Sequence, residues 1–354
     1  MAKLPGRVVL VLQGGGALGA YQVGVYQALH EAGIEPEWVI GTSIGAVNAA
    51  VIAGNAREER LPRLQRMWQR FEHGNGAAQF ATLLSGIPGF FAPRMPAWGG
   101  LQARVGLDAA SYYITSPLRE TLSQLVEPER LGKDIRLTVG AVNVTAGTMR
   151  YFDSRKEPIT LDEIMASGAL PPGFPAVRVN GEAYWDGGLY SNTPLEAVLD
   201  DDPRRSSLIF AVNVWQPTGH EPGSIWEVLA REKDIMYASR ADSHIMRQKQ
   251  IHRLRHVVRE LYQHLSSEKQ ESPEVRQLAS WGCHTVMHVV RLLAPALEGE
   301  DYWKDIDFSA AGMRFRREAG YADACRMLQL APWQAPVDPM EGVIVHELSA
   351  RSGG

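Results

Sequence analysis

Residues 8–12 form an unbroken apolar run, rich in β-branched side chains and closed by glycine, so 7–13 reads as a strand buried in a parallel sheet. The period then changes. From Ala17 onward Tyr21, Val25, Ala28 and Leu29 recur at helical spacing, and Gly33 supplies the stop. A second short run, 38–40, predicts the next strand. Small residues over 44–53 predict a helix able to pack closely on the sheet, and 57–71 predicts an amphipathic one. Further on, 136–143 and 149–153 read as a strand pair, 161–167 as a short helix, 183–185 as a strand ending at Asp186, and 208–214 as another parallel strand. This alternation predicts an α/β fold up to residue 215. From 224 to 265 the pattern is helical, and it stays mostly so to Pro336, with one edge strand within 342–348.

Two stretches depart from these periods. Between 83 and 106 the chain is apolar and aromatic (Leu84, Phe90, Phe91, Trp98), yet Pro88, Pro93, Pro96 and several glycines forbid a regular element. It reads either as an ordered surface loop or as a lid, an apolar rim over a site. Residues 247–259 are strongly basic within the helical region. They read as a solvated helix face or as a surface that meets anionic lipid.

Composition narrows the class. A chain of 354 residues with 45% hydrophobic content can bury a large core, and a net charge of −4 offers no general attraction for nucleic acid. Cys283 and Cys325 match no metal spacing and read as reduced, buried thiols. The apolar run at the start is too short for a signal-peptide core, and the two long uncharged stretches, 8–30 and 74–93, are broken by glycine, glutamine or proline. A cytoplasmic protein, with at most peripheral membrane contact, is the expectation.

The chemistry concentrates at strand ends. Gly41-Thr42-Ser43-Ile44-Gly45 lies between a strand and a helix, where G-x-S-x-G forces a tight turn that presents Ser43 outward and sets a helix N-terminus behind it. Gly14-Gly15-Gly16, ahead of Gly19, can turn backbone N–H groups into a concave pocket. In acyl transfer each such donor to an oxyanion is worth about 3–4 kcal/mol. The same glycines fit a dinucleotide fingerprint, but that needs an acidic residue at the end of the following strand. Gly41, Thr42 and Ser43 occupy that place, so the nucleotide reading falls. Asp186-Gly187-Gly188 follows Tyr184 and Trp185; it is either a turn pair or a carboxylate whose burial would raise its pKa enough to serve as a base. None of the ten histidines sits in a partner motif.

Together these blocks resemble the patatin-like phospholipase family, in which a Gly-rich oxyanion loop, a G-x-S-x-G elbow and a later D-G-[GA] follow in this order. The segment from Ala166 through Phe174 to Pro175 resembles a further block of that family, and the likeness covers roughly 7–215. It implies a three-layer α/β/α sandwich with a mostly parallel central sheet in an acyl hydrolase domain (7–215). It assigns the catalytic pair to Ser43 and Asp186 and the oxyanion hole to Gly14, Gly15 and Gly16. Gly41, Gly45, Gly187 and Gly188 support the turns. No metal or organic cofactor is implied. The region 216–354 resembles the mainly helical extension of a bacterial subgroup. Many family members carry Lys or Arg just before the last glycine of the oxyanion loop, whereas this chain has Leu18.

The expected activity is cleavage of lipid carboxylic esters, as a phospholipase A, lysophospholipase or esterase. Its alternatives are a storage-polyester (polyhydroxyalkanoate-type) depolymerase and a protein that keeps the fold but docks on membranes or a partner. The expected partners are a lipid or other ester substrate and no nucleic acid, with peripheral membrane contact through 84–100 and 247–259. The sequence does not state an oligomeric state.

Overall fold

The computed structural model describes residues 4–74, 84–95, 104–238, 240–297, 300–338 and 340–348. Its strands are β1 (Arg7–Leu12), β2 (Trp38–Thr42), β3 (Ala92–Pro93), β4 (Tyr113–Ile114), β5 (Arg136–Asn143), β6 (Met149–Asp153), β7 (Val177–Val179), β8 (Glu182–Asp186), β9 (Ser207–Asn213), β10 (Met287–Leu293) and β11 (Val343–Glu347). Nine of them build one sheet in the order β11-β10-β9-β1-β2-β5-β8-β7, with β6 beside β5; β3 and β4 make a separate antiparallel pair. From β11 to β5 every neighbouring pair is parallel, and β6, β7 and β8 add antiparallel pairings.

The continuous apolar run of β1 suits this central place. Val8, Leu10 and Leu12 enter the larger core on one face, while Val9 and Val11 meet Trp38, Ile40, Ile209 and Val289 on the other. Alternate side chains point to opposite faces, so a strand covered on both sides must be apolar throughout. The larger core contains residues of α1 (Ala20–Glu31), α2 (Ile44–Ala53) and α3 (Arg57–Phe71); Leu195, Val198, Leu199 and Ile245 join the core of the opposite face.

One junction positions the chemistry. Thr138 of β5 pairs with Ile40 of β2 and with Asp153 of β6, so β2 and β6 flank β5 on opposite edges. Ala141 pairs with Arg150 of β6 and with Asp186 of β8. Strands β2 and β8 therefore share one edge of β5 and run head-on toward each other, β2 ending at the level of Gly140 and β8 at Ala141.

The predicted elements of the first 215 residues are present, with the first helix entered through a 3-10 turn at Gly16–Gly19. Beyond 215 the chain is mainly helical, as expected, with one strand more than the sequence pattern predicts. Helices Ile225–Ala238, Arg240–Gln263 and Ala310–Leu330 are there, but β10 and β11 extend the sheet itself. Strand β11 matches the expected edge strand. Strand β10 was missed because Met287–Leu293 interleaves His288 and Arg291 with apolar residues, and so short a run has no period that excludes helix. The helix Ala310–Leu330 crosses α1 at backbone contact: a Cβ on Gly24 would stand 1.9 Å from the Arg317 carbonyl oxygen, and one on Gly320 2.1 Å from that of Tyr21.

Candidate active site

Strands β1, β2 and β9 are parallel, so the turns after them emerge at one edge of the sheet. The turn after β2 is the sharpest. Ser43 sits at φ 57° and ψ −128°, a conformation that costs a non-glycine residue energy and is kept where surroundings enforce it. Gly45 lets the turn close on its neighbour, since a Cβ there would lie 2.2 Å from the Leu12 carbonyl oxygen. The Ser43 N–H donates to Ser167 Oγ (3.1 Å), and Ser167 Oγ donates in turn to the Gly140 carbonyl (2.6 Å). Ser167, from the fourth family-like block, thus ties the elbow to β5.

Asp186 arrives from the opposite direction at the end of β8. Its side chain is 1% exposed, Oδ1 accepts from the Gly188 N–H at 2.7 Å, and Oδ2 is buried with no hydrogen bond of full geometry. Burial lifts this carboxyl to about 7, opposed by the Ser43 hydroxyl, a weak donor to it, and by the Gly188 N–H. A carboxylate left partly unsatisfied beside a serine hydroxyl is suited to take a proton near neutral pH.

The glycine row faces the same space, with one correction. The Gly14 N–H is committed to the Asn192 carbonyl at 3.2 Å, so this amide is not available to an oxyanion. Gly15 and Gly16 remain, because among the described residues their amides make no backbone hydrogen bond. The carbonyl of Gly14 is held twice, by Trp215 Nε1 (2.7 Å) and Asn192 Nδ2 (3.1 Å). Across a planar trans peptide a carbonyl and the next N–H point in opposite directions, so this clamp fixes where the Gly15 N–H points. Gln13 carries the clamp further. Its Oε1 accepts from the N–H groups of Val214 and Trp215, and its Nε2 donates to Thr193 Oγ1 (2.7 Å) and the Tyr237 carbonyl (3.2 Å). Gln13, Asn192 and Trp215 went unnoticed in the sequence. The available signal was position, since Gln13 directly follows β1 and Trp215 comes two residues after β9 on the same edge.

Ser43, Asp186 and the three glycines line one cavity of about 340 Å³. Its walls are largely apolar, with Phe90, Phe91, Leu118, Phe174 and Phe308 among them, and none of the ten histidines takes part. Phe90 and Phe91 of the 83–106 loop are buried and line the cavity; 83 and 96–103, Trp98 included, lie outside the described residues. Lys233, Tyr237, Tyr302 and Asp305 also reach the cavity, although all lie beyond 215. A Cβ on Gly16 would meet the Asp305 carbonyl oxygen at 2.1 Å. Leu18 is buried, and the cation lining the cavity among the described residues is Lys233, committed to Asp305 Oδ1 (2.7 Å) and the Tyr302 carbonyl (3.0 Å). The expected basic helix lies elsewhere. His252 and His256 turn inward against Leu199 and Thr285, at the edge of the sheet where the parallel strands begin.

A family model described as patatin-like phospholipase matches residues 10–199, and a second, described as patatin phospholipase, matches 235–340. Human patatin-like phospholipase domain-containing protein 6 is 41% identical over 192 residues, covering 53% of this chain and 12% of that protein. An uncharacterized NTE family protein of Mycobacterium bovis is 30% identical over 192 residues, 54% of this chain and 45% of its own length. Lysophospholipase nte1 of Aspergillus terreus is 58% identical over 55 residues, 15% of this chain and 4% of that one. The chain thus spans less than half the length of each of these relatives. Among solved structures, VipD from Legionella pneumophila matches with a TM-score of 0.41 and 15% identity, covering 92% of this chain and 67% of that one.

Proposed function

The chain belongs to the patatin-like phospholipase family, and from that premise we propose that it is a serine acyl hydrolase that cleaves lipid carboxylic esters through Ser43 and Asp186. The observation that carries this reading is the head-on meeting of β2 and β8 over β5, which brings a strained serine and a buried carboxyl of raised pKa to one apolar cavity. Asp186, ionised, takes the Ser43 proton as the hydroxyl oxygen attacks the ester carbonyl. The amides of Gly15 and Gly16 receive the developing oxyanion, backed by the N-terminus of α2. Collapse of the tetrahedral intermediate expels the alcohol, which leaves with a proton from Asp186. Water, deprotonated by the same carboxylate, then attacks the acyl-enzyme, and Asp186 returns the proton to the Ser43 oxygen as the fatty acid leaves.

The acyl chain belongs among Phe90, Phe91, Phe174 and Phe308. Exposed Leu189, Tyr190 and Met236 line a small groove that shares Gly188, Asn192 and Tyr237 with the cavity, and exposed Trp226 packs on Tyr302 of its lining; these suit contact with a lipid surface. The inward-facing part of the 247–259 helix packs at the opposite edge of the sheet, so of the two segments expected to meet a membrane only the 84–95 one adjoins the cavity.

A fluorophosphonate probe tests the proposal. Labelling of the wild type and none of Ser43→Ala is the expected result; equal labelling of both removes Ser43 as nucleophile. On a panel of phospholipid, short-chain ester and polyhydroxybutyrate, turnover of the lipids is expected, with kcat/KM rising through an inflection near pH 7 as Asp186 ionises. Turnover of the polyester alone would favour a depolymerase.

A further inference from the structure

The lining of the hydrolase cavity falls into two clusters of unlike chemistry. In the apolar one Phe90 touches Phe91, Phe174 and Phe308, with ring centroids 5.5, 6.0 and 5.5 Å away. The other is polar and comes entirely from beyond β9. There Tyr237 lies on Trp215 (4.9 Å), and Lys233 Nζ stands 4.0 Å from the Tyr302 ring centre and 2.7 Å from Asp305 Oδ1. With the acyl chain among the phenylalanines, the alcohol side of the ester falls to the polar cluster.

The cations of that cluster are closed on internal partners. Lys233 donates to Asp305 and to the Tyr302 carbonyl (3.0 Å). Behind the cavity wall Lys304 donates to Asp234 (2.7 Å), and Arg231 to the carbonyls of Gln216 (3.1 Å) and Pro217 (2.7 Å). Among the described residues, the lining therefore sets two acids, Asp186 and Asp305, against one engaged cation. Once Asp186 ionises, the cavity holds a surplus of negative charge. A phosphate, ionised at neutral pH, would lose hydration on entry, gain no free counter-charge and meet charge of its own sign. Neutral hydrogen-bonding groups are what the cluster does offer. The hydroxyls of Tyr237 and Tyr302 make no hydrogen bond among the described residues, and neither oxygen is sealed from solvent. Burial, then the nearby Asp186 charge, pushes the Tyr237 hydroxyl up to about 12, so it stays an uncharged donor.

Resting on the reading of Ser43 and Asp186 as a hydrolase pair, we propose that the substrate's alcohol side is uncharged and carries oxygen acceptors, and that phosphate-bearing lipids are selected against. The glycerol of an acylglycerol has this chemistry, as does the neighbouring ester unit of a polyester. The Lys233–Asp305 pair sets the selectivity, because Asp305 neutralises the cation that would otherwise meet a phosphate.

The test compares kcat/KM for monoacylglycerol, lysophosphatidylcholine and lysophosphatidic acid of one acyl chain, each in micelles of the same uncharged detergent at pH 8. Monoacylglycerol should lead both phospholipids by at least tenfold, with lysophosphatidic acid slowest. Asp305→Asn keeps an acceptor for Lys233 but removes the charge, and should raise the ratio of lysophosphatidic acid to monoacylglycerol turnover at least fivefold. Lys233→Met should lower that ratio further. Each ratio compares two substrates on one variant, so a general loss of activity cancels. Within the uncharged class, a 3-hydroxybutyrate trimer methyl ester turned over faster than monoacylglycerol identifies a polyester, and the reverse a glyceride. Phospholipid turnover equal to or above that of monoacylglycerol overturns the substrate class, even where a fluorophosphonate labels Ser43 and the hydrolase reading stands. An unchanged ratio in folded Asp305→Asn overturns the role of the ion pair. Absence of both labelling and turnover overturns the hydrolase reading and this inference with it.

Discussion

Replacing Asp186 by Asn should cost the enzyme its base and stabilise its fold, by an amount that depends on pH. The carboxyl titrates near 7 in the folded chain, against a reference value of 3.8. A folded pKa above the unfolded one means that the native state holds the proton more tightly. The associated stability is complete below about pH 4 and is lost as pH rises through about 7. Three pK units correspond to about 4 kcal/mol, an upper figure for the strain that the wild type carries above neutrality. Asparagine has no charge to bury and keeps an Oδ1 for the Gly188 N–H, now bonded at 2.7 Å. The assay is urea denaturation of both proteins at pH values from 4 to 8.5. The variant should gain on the wild type by up to about 4 kcal/mol between pH 4 and 8, while ester hydrolysis disappears. A stability difference that stays flat across this range would refute the argument that burial sets the carboxyl's pKa.

Ser43→Gly should abolish fluorophosphonate labelling yet raise stability by about 1 kcal/mol in denaturant titration, because glycine accepts the positive φ without strain. Trp215→Phe removes one of two donors to the Gly14 carbonyl, so steady-state kinetics should show kcat reduced about tenfold with KM little changed, the mark of a loosened oxyanion donor. Gly320→Val sets side-chain atoms into the Tyr21 backbone and should cost about 3 kcal/mol in thermal or urea unfolding. Activity should fall as well, because Arg316 of that helix holds the Asp307 and Lys304 carbonyls beside the cavity wall.

The site was legible wherever chemistry follows from local turns. G-x-S-x-G between a strand and a helix fixes the elbow through the backbone alone, and the D-G-G at a strand end marks the carboxylate. The apolar run of β1 announced a strand covered on both faces, since no polar residue interrupts either side. Which elements became neighbours was a different matter. That β2 and β8 share an edge of β5 is a property of strand order, and strand pairing over more than a hundred residues leaves no trace in either segment. The same holds for Gly14. Its sequence neighbours mark it as an oxyanion donor, but a carbonyl from Asn192, 178 residues away, claims its amide. The region beyond 215 reads as helix because its helices are long and periodic, whereas β10 is short and becomes a strand by pairing with β9. Local conformation and residue chemistry were thus determined by the sequence. Pairing, burial and the resulting rise of the Asp186 pKa were decided by tertiary contact, because desolvation depends on what covers a group and not on what precedes it in the chain.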